Sequence, residues 1–194
     1  MANGRVLTGF SKPYVALYSH SGSTVTYTSG QILARGVSAE IEPDSNDDEN
    51  IFYADNVASE SVAGEFTGGS LTLTVDGLLT NAEKLLFGLP VADNEGWTHY
   101  GNSASIPYVG IGFVCRYMSD GVTSYVPVVL TKCRFSMPTL SANTQEDEID
   151  WQTQELSARI LKDDSANGDW KMVGSEQTSE SSAEDMIKDV FSIQ

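Results

Sequence analysis

The chain has 194 residues, of which 40% are hydrophobic and 9% aromatic, and this composition suits one domain with a buried core. Its 27 acidic and 11 basic residues give a net charge of −16, which disfavours ordinary binding to nucleic-acid phosphates. No segment approaches the ~20 apolar residues of a membrane-spanning helix, and the first twenty residues lack the apolar block of a secretion signal.

The N-terminal part of the chain predicts an arm followed by a hairpin. Residues 1–12 (MANGRVLTGFSK) show weak periodicity, and we expect them to form an irregular N-terminal arm. PYVALY and TVTYT are rich in β-branched and aromatic residues and flank a Ser-His-Ser-Gly-Ser turn at 19–23. This arrangement predicts a short β-hairpin.

The next segment predicts a strand that leads into an acidic loop. In GQILARGVSAEI, alternation places Val37, Ala39 and Ile41 toward the core and the intervening polar residues toward solvent. EPDSNDDEN, residues 42–50, predicts an acidic loop. A strand-like IFYADN and a passage rich in Ser, Gly and Glu follow it.

The acidic loop resembles a calcium-binding loop only in part. Asp44, Asn46 and Asp48 have the spacing of the first three ligands of an EF-hand. However, Glu49 stands where the loop needs glycine, Asp55 stands where it needs a bidentate glutamate, and the flanking segments predict strands. We therefore interpret this segment as a solvated loop and predict no metal site.

A clearly alternating strand precedes the first predicted helix. In SLTLTVDG, the apolar residues Leu71, Leu73 and Val75 alternate with polar ones, which predicts a strand with one buried face. The sequence TNAE at 80–83 has the pattern of a capping box, and a glycine at 88 is a typical helix stop. We expect a short helix over 81–87.

Residues 108–135 predict one long β-hairpin. In YVGIGFVCRYM the odd-numbered residues from Val109 to Tyr117 share one face, and Gly110, Gly112, Val114 and Arg116 share the other. A Ser-Asp-Gly turn at 119–121 leads to VTSYVPVVLTKCRF, which is rich in β-branched and aromatic residues. Strands of this length are about twice as long as a common strand. Long strands can build an extended sheet surface, which suggests a structural role.

The hairpin also contains both cysteines and a proline. If the chain reverses near residue 120, Cys115 lies opposite Tyr125 and Cys133 opposite Pro107, so the two sulfurs are too far apart for a disulfide. We predict two free cysteines. Pro127 lacks a backbone donor, which favours an edge position or a bulge there.

The C-terminal part predicts a strand and a helix. DEIDWQTQELSARILK predicts a strand, and an SSAE capping box at 181–184 precedes the apolar residues Met186, Ile187, Val190 and Phe191. We expect a C-terminal helix over 181–192. With no internal repeat and no linker, the prediction is a single domain, 1–194. Its fold class is mainly β, an antiparallel β-sandwich or open barrel with a short flanking helix and a C-terminal helix.

Groups that carry chemistry are scarce. His20 and His99 are the only histidines, and neither has a cysteine or carboxylate at metal-ligand spacing. The glycine-rich segment at 66–69 lacks the lysine and hydroxyl residue of a phosphate loop. We expect no catalytic residue, cofactor or metal, although a pair of carboxylates brought together by folding stays open at this point.

Five segments in order resemble the major tail proteins of long, flexible, non-contractile bacteriophage tails. These segments are FSKPYVALY (10–18), FYADN (52–56), FTGGSLTLTVDGLL (66–79), PYVGIGFVCRYMSDGVTSY (107–125) and QEDEIDWQTQELSARIL (145–161). No single segment is diagnostic, but the ordered set covers nearly the whole chain.

The resemblance implies a tail tube fold and a structural role in the virion after synthesis in the host cytoplasm. It implies hexameric rings of this chain that stack into a tube, with a tape-measure protein and tail-terminator or tip proteins as further partners. DNA would pass through the lumen without specific binding, no membrane is involved, and the acidity would keep the genome from adsorbing to the wall. Solubility alone is the other explanation of the acidity.

By the same resemblance, two flexible segments are candidates for contacts between rings. The candidate residues of the N-terminal arm are Arg5, Val6 and Leu7. The candidate residues of the acidic loop are Glu42, Asp44, Asp47, Asp48 and Glu49.

Two other classes of function stay open. A carbohydrate- or surface-binding β-sandwich of a virion tip would use Trp97, Tyr100 and Tyr108 as a stacking platform, although these aromatics also suit a core or an interface. A hydrolase that uses two carboxylates for catalysis ranks well behind both the structural and the carbohydrate-binding functions. A tube component of a contractile injection machine is a related structural alternative.

Overall fold

The computed structural model describes residues 4–45, 50–54, 57–62, 66–101, 104–142, 144 and 151–193; for 45, 50–54 and 57–62 it describes the backbone. The strands are β1 (Val6–Ser21), β2 (Thr24–Ile32), β3 (Gly36–Ser45), β4 (Asn50–Ala54), β5 (Val57–Val62), β6 (Phe66–Val75), β7 (Val109–Ser119), β8 (Val122–Phe135), β9 (Gln154–Leu161) and β10 (Lys171–Val173). The helices are α1 (Thr80–Phe87) and α2 (Glu180–Val190).

Eight strands form one antiparallel sheet. Its order is β2-β1-β7-β8-β9-β6-β3, and β10 pairs with the middle of β8. β4 and β5 form a separate antiparallel hairpin. The sheet curls on itself, because Phe10 of β1 lies against Gly36 of β3 and the Leu33 N–H donates to the carbonyl of Pro13. The predicted fold class, mainly β with a short helix and a C-terminal helix, is confirmed, and an open barrel describes its form.

The main core lies inside the curled sheet, and α1 closes one end of it. Leu71, Leu73 and Val75 point inward and are fully buried, as their alternation predicts. The inward residues of the other strands, together with Ala82, Leu86 and Phe87 of α1, complete one apolar cluster. Burying each large aliphatic side chain there stabilises the fold by about 1.5–3 kcal/mol.

A second, smaller core lies on the outside of the sheet beneath α2. Ala183 and Ile187 of α2 and Phe191 at its C-cap are spaced four residues apart and are fully buried. They pack on Tyr14, Ala16, Val114 and Val129.

The glycines of β7 make room for this contact. A Cβ atom added to Gly112 would lie 2.5 Å from a methyl carbon of Ile187, and one added to Gly110 would lie 2.8 Å from the ring of Phe191. The missing side chains therefore form the hollow that holds α2.

The long hairpin is confirmed, with a register that differs from the prediction by one residue at Cys115 and by two at Cys133. Asp120 and Gly121 form its turn with φ values of 50° and 79°, as a two-residue hairpin turn requires. Cys115 lies opposite Val126 and Cys133 opposite Val109, and both cysteines are free. The alternation predicts one buried face, but Val109 to Val114 are buried on both faces because α2 covers the second.

The predicted N-terminal arm is wrong over residues 6–12, which belong to β1. Residues 1–3 lie outside the described residues. Two bulges explain the weak periodicity, because the register against β7 shifts between Leu7 and Gly9 and again between Ser11 and Tyr14. Each bulge moves the alternation by one residue and hides the period of two.

The acidic loop predicted over residues 42–50 is wrong at both ends. Residues 42–45 continue β3 and pair with β6, residue 50 begins β4, and residues 46–49 lie outside the described residues. The inward placement of Val37 is also wrong, since a register shift between Gly36 and Ser38 leaves Val37 54% exposed. Ala39 and Ile41 pack against the core as predicted.

Both helices begin at different residues from those predicted. The N-cap of α1 is Leu79, which makes no side-chain cap, and its N–H donates to the carbonyl of Leu33. A tertiary contact therefore sets this helix start, while Gly88 ends the helix in the left-handed conformation as predicted. α2 is capped by Ser179, whose hydroxyl accepts from the Ser182 N–H at 3.1 Å.

The strand predicted over residues 147–162 forms only from Gln154 to Leu161, and residues 147–150 lie outside the described residues. The edge or bulge expected at Pro127 is wrong, since Pro127 pairs with Val114 of β7 without a register shift and bonds to Gly174 on its other side. The carbonyl of Pro127 accepts from the Gly174 N–H on the border of β8 that faces away from β7, so the missing donor costs no pairing with β7. None of the helices in the described ranges is long and apolar enough to span a membrane.

Candidate functional site

The sheet ends in two strands that pair on one side only. β2 has β1 as its neighbour and β3 has β6. In the described part of the chain, no other strand pairs with the outer border of either. Such a border presents a row of backbone donors and acceptors that another chain can pair with.

The first part of β1 is a third open border. β2 pairs with β1 only from Tyr14 onward, so residues 6–11 pair with β7 alone. Val6 and Leu7 are 66% and 56% exposed there. The Arg5 guanidinium lies 4.4 Å from the ring centroid of Tyr117 and 3.6 Å from a carboxylate oxygen of Glu176. The candidate residues Arg5, Val6 and Leu7 therefore lie together beside a strand border.

A fourth open border occurs where β8 leaves β9. β8 pairs with β9 only between Lys132–Phe135 and Ala158–Leu161. The first residues of β9 pair with β6 but not with β8. Beside them the segments 136–141 and 152–157 line an open groove of about 630 Å³. The groove has polar walls and contains the exposed side chain of Leu140.

The outer surface of β3, β6 and β9 is polar, and we call it the hydroxyl face. Its residues are Ser38, Glu40 and Glu42 of β3, Ser70, Thr72 and Thr74 of β6, and Glu155, Ser157 and Arg159 of β9. Each residue alternates with a core residue on its own strand, so the whole set points away from the core. These side chains are exposed or half-buried.

Two of the predicted acidic residues lie on or beside the hydroxyl face. Glu42 accepts a hydrogen bond from the Ser70 hydroxyl at 3.3 Å, and Asp44 forms an ion pair with Arg159 at 2.6 Å. Gly68 makes room for that arginine, since an added Cβ would lie 2.5 Å from its guanidinium. The other three candidates, Asp47, Asp48 and Glu49, lie outside the described residues.

A cluster of polar side chains that the sequence did not predict joins β1, β8 and the turn after β9. The Tyr18 hydroxyl donates to Asp164 at 2.6 Å, and Lys132 lies 2.5 Å from the same carboxylate. The bonds from Lys132 and Tyr18 hold the pKa of Asp164 below its usual range, while burial and this carboxylate raise the pKa of Tyr18 to about 12. No sequence signal was available, because the partners lie 146 and 32 residues apart.

Both histidines lie beside carboxylates at the surface. His99 Nε2 lies 2.8 Å from Asp93, which also accepts the backbone N–H of Trp97. His20 lies 3.8 Å from Asp164. Neither pair has a third ligand, since no group of three or more potential metal-binding side chains occurs among the described residues.

The three aromatics of the predicted platform do not meet. Trp97 and Tyr100 are exposed, and the Tyr100 hydroxyl donates to Glu83 at 2.6 Å. The ring of Tyr108 lies beneath the Lys132 ammonium at 4.8 Å. No family model matches the chain, and no curated protein matches it.

Proposed function

We propose that the chain is the tube subunit of a long, flexible, non-contractile bacteriophage tail. Copies of it join through strand borders into hexameric rings, the rings stack, and the resulting tube conducts the genome. It catalyses no reaction and needs no cofactor. Its partners are further copies of itself, a tape-measure protein and tail-terminator or tip proteins, and its place is the virion after synthesis in the host cytoplasm.

The single observation that carries the proposal is the open sheet. One continuous eight-stranded sheet ends in the unpaired borders of β2 and β3. The two borders differ in sequence, so pairing one with the other in the next copy is a head-to-tail contact. Such contacts close into rings when the rotation per copy is a simple fraction of a turn. A ring then removes the two end borders of each sheet, as closure removes the edges of a barrel.

The candidate stacking residues fit this proposal in a modified form. Val6 and Leu7 lie on a strand border, not on a free arm, and Glu42 and Asp44 lie on β3. Contacts between copies would therefore be made by strands that are already formed in the monomer. Such preformed contacts have a smaller ordering cost than disordered segments.

The carbohydrate-binding alternative has less support. Its platform needs three rings on one surface, but Tyr108 pairs with Lys132, and no ring contact joins Tyr108 to Trp97 or Tyr100 in the described residues. A tube subunit does not need these rings to meet.

The test uses three exposed valines. Val6→Lys and Val37→Lys place a charge on open borders of β1 and β3, while Val91→Lys places the same charge in the segment after α1, where the side chain is 88% exposed. Light scattering at two concentrations and negative-stain imaging should show rings or tubes for the wild type and Val91→Lys. The border variants should stay monomeric with an unchanged Tm. A wild type that stays monomeric at high concentration would refute the proposal.

A further inference from the structure

An exposed tryptophan lies on a loop that hydrogen bonds hold in place, and we call residues 93–99 the tryptophan loop. Trp97 is 68% exposed, in the segment between α1 and β7. The Asp93 carboxylate accepts the N–H of Trp97 at 2.8 Å and the N–H of Glu95 at 3.0 Å through one oxygen. His99 Nε2 lies 2.8 Å from its other oxygen. The bond to His99 is the main reason why the pKa of Asp93 is below its usual range, so this carboxylate is ionised at neutral pH.

An exposed tryptophan on an ordered loop has the properties of a binding anchor. Its indole ring offers a large apolar area, and burying that area against a partner is favourable. Tryptophan is among the residue types that are most enriched where interfaces bind most strongly. A loop that is already ordered loses little conformational entropy on binding. The tryptophan loop therefore favours a partner with an apolar groove.

The chain itself contains a groove with this chemistry. The groove lies between β10 and α2 and has a volume of about 200 Å³. Its walls are mostly apolar and include Pro127, Val129, Met172, Val173, Met186 and Val190. Met172 and Val173 are 36% and 55% exposed, so the groove is open to solvent. An apolar cavity of about 150 Å³ holds a benzene-sized ring, so this groove has room for most of an indole ring.

The charges beside the loop and beside the groove have opposite signs. Glu95 is an exposed carboxylate two residues before Trp97. Lys171 is exposed at the start of β10, next to the groove residue Met172. Its ammonium lies 4.9 Å from the ring centroid of Trp170, and it makes no ion pair with any residue that the structure describes. Two chains with a net charge of −16 repel each other, so close contact between copies needs local pairs of opposite charge.

We propose that Trp97 of one copy inserts into the groove between β10 and α2 of a second copy, with Glu95 facing Lys171. This inference rests on the proposed function, because it adds a second contact between copies. The loop and the groove contain no residue of β2 or β3, so this contact and the pairing of those borders can exist in one assembly. Because the loop and the groove are different surfaces, the contact is head-to-tail and can repeat from copy to copy.

Cross-linking between two variants tests the contact directly. Trp97→Cys and Met172→Cys are each made in a Cys115→Ser background, in which the remaining native cysteine, Cys133, is fully buried. The two proteins are mixed and treated with a short bismaleimide. They should give a covalent dimer that contains one copy of each variant. A mixture of Trp151→Cys with Met172→Cys is the matched control and should give far less dimer, although Trp151 is 84% exposed.

Assembly of the single variants gives a second measurement. Trp97→Ala should raise the concentration at which light scattering detects assembly by about tenfold or more, with an unchanged Tm, because the ring is exposed in the monomer. Trp151→Ala should assemble like the wild type. Glu95→Lys and Lys171→Glu should each weaken assembly, and the protein that contains both changes should recover it.

The outcomes separate this inference from the proposed function. If Trp97→Ala forms rings or tubes as readily as the wild type and the cross-link does not exceed the control, the inference is wrong and the proposed function stands. A specific cross-link in a protein that forms no rings or tubes supports the inference and refutes the tube. A wild type that does not associate at all refutes both.

Discussion

Gly112→Ala should loosen α2 from the sheet. The added Cβ would lie 2.5 Å from Cγ2 of Ile187 and 3.0 Å from the ring of Phe191. Ordinary carbon contacts begin near 3.5 Å, so the helix must shift by about 1 Å or the side chains must leave their rotamers. Overpacking of this kind costs about 1–3 kcal/mol. For a chain of this length, that loss lowers Tm by about 2–12 °C.

The matched control is Gly9→Ala in β1. Its Cβ would lie 3.6 Å from the nearest atom, a side-chain carbon of Arg116, so it fits without a shift. The free energy of unfolding, from urea denaturation followed by circular dichroism, should fall for Gly112→Ala and stay within about 0.5 kcal/mol for Gly9→Ala. Ile187→Ala should cost less in the Gly112→Ala background than in the wild type, because it removes the clashing methyl group. Equal stability of the two alanine variants would contradict the assignment of a glycine hollow beneath α2.

Three further predictions concern the core, the carboxylates and the thiols. Leu156→Ala, in the main core, should lower the free energy of unfolding by about 2–5 kcal/mol, whereas Leu140→Ala, 91% exposed, should change it by less than about 0.5 kcal/mol in urea titrations. Burial raises the pKa of Glu184, but hydrogen bonds from a tyrosine of β1 and a lysine of α2 outweigh it and leave the pKa below its usual range. The ionised form of Glu184 therefore stabilises the fold at pH values above the ordinary glutamate pKa, and this stabilisation is lost as the pH falls through the lowered pKa of Glu184. The difference in free energy of unfolding between wild type and Glu184→Gln should narrow in acid. A difference that stays constant from neutral pH to acid would contradict this. Burial raises the pKa of both cysteine thiols. An aromatic disulfide reagent at neutral pH should therefore react slowly with half-buried Cys115, and it should react with Cys133 only after unfolding. Fast reaction of both thiols in the native protein would contradict the fold.

Local patterns predicted those strands whose two faces differ in environment. Leu71, Leu73 and Val75 are inward because a strand with one buried face must alternate, and β6 contains no bulge between them. The Asp-Gly turn of the long hairpin was predictable because positive φ values at both positions favour those residues. The candidate residues Glu42 and Asp44 were identified from charge alone, without their strand.

The same reasoning failed where distant contacts decide the local structure. The strand at residues 6–12 is hidden by two bulges that its pairing with β7 imposes. The start of α1 is set by a hydrogen bond to Leu33, some 46 residues earlier in the chain. The cluster around Asp164 consists of side chains that have no common motif.

By itself, the sequence determined a mainly antiparallel β domain, its long hairpin, its free cysteines and its two helices, because turn residues and the spacing of apolar side chains act over a few positions. Only the tertiary structure decided which half of the outer surface α2 covers and which strand borders stay open. Those outcomes depend on sheet order, and sheet order is chosen by the packing of strands that lie far apart in the chain. The surfaces on which assembly depends therefore became visible only when all the strands were in place.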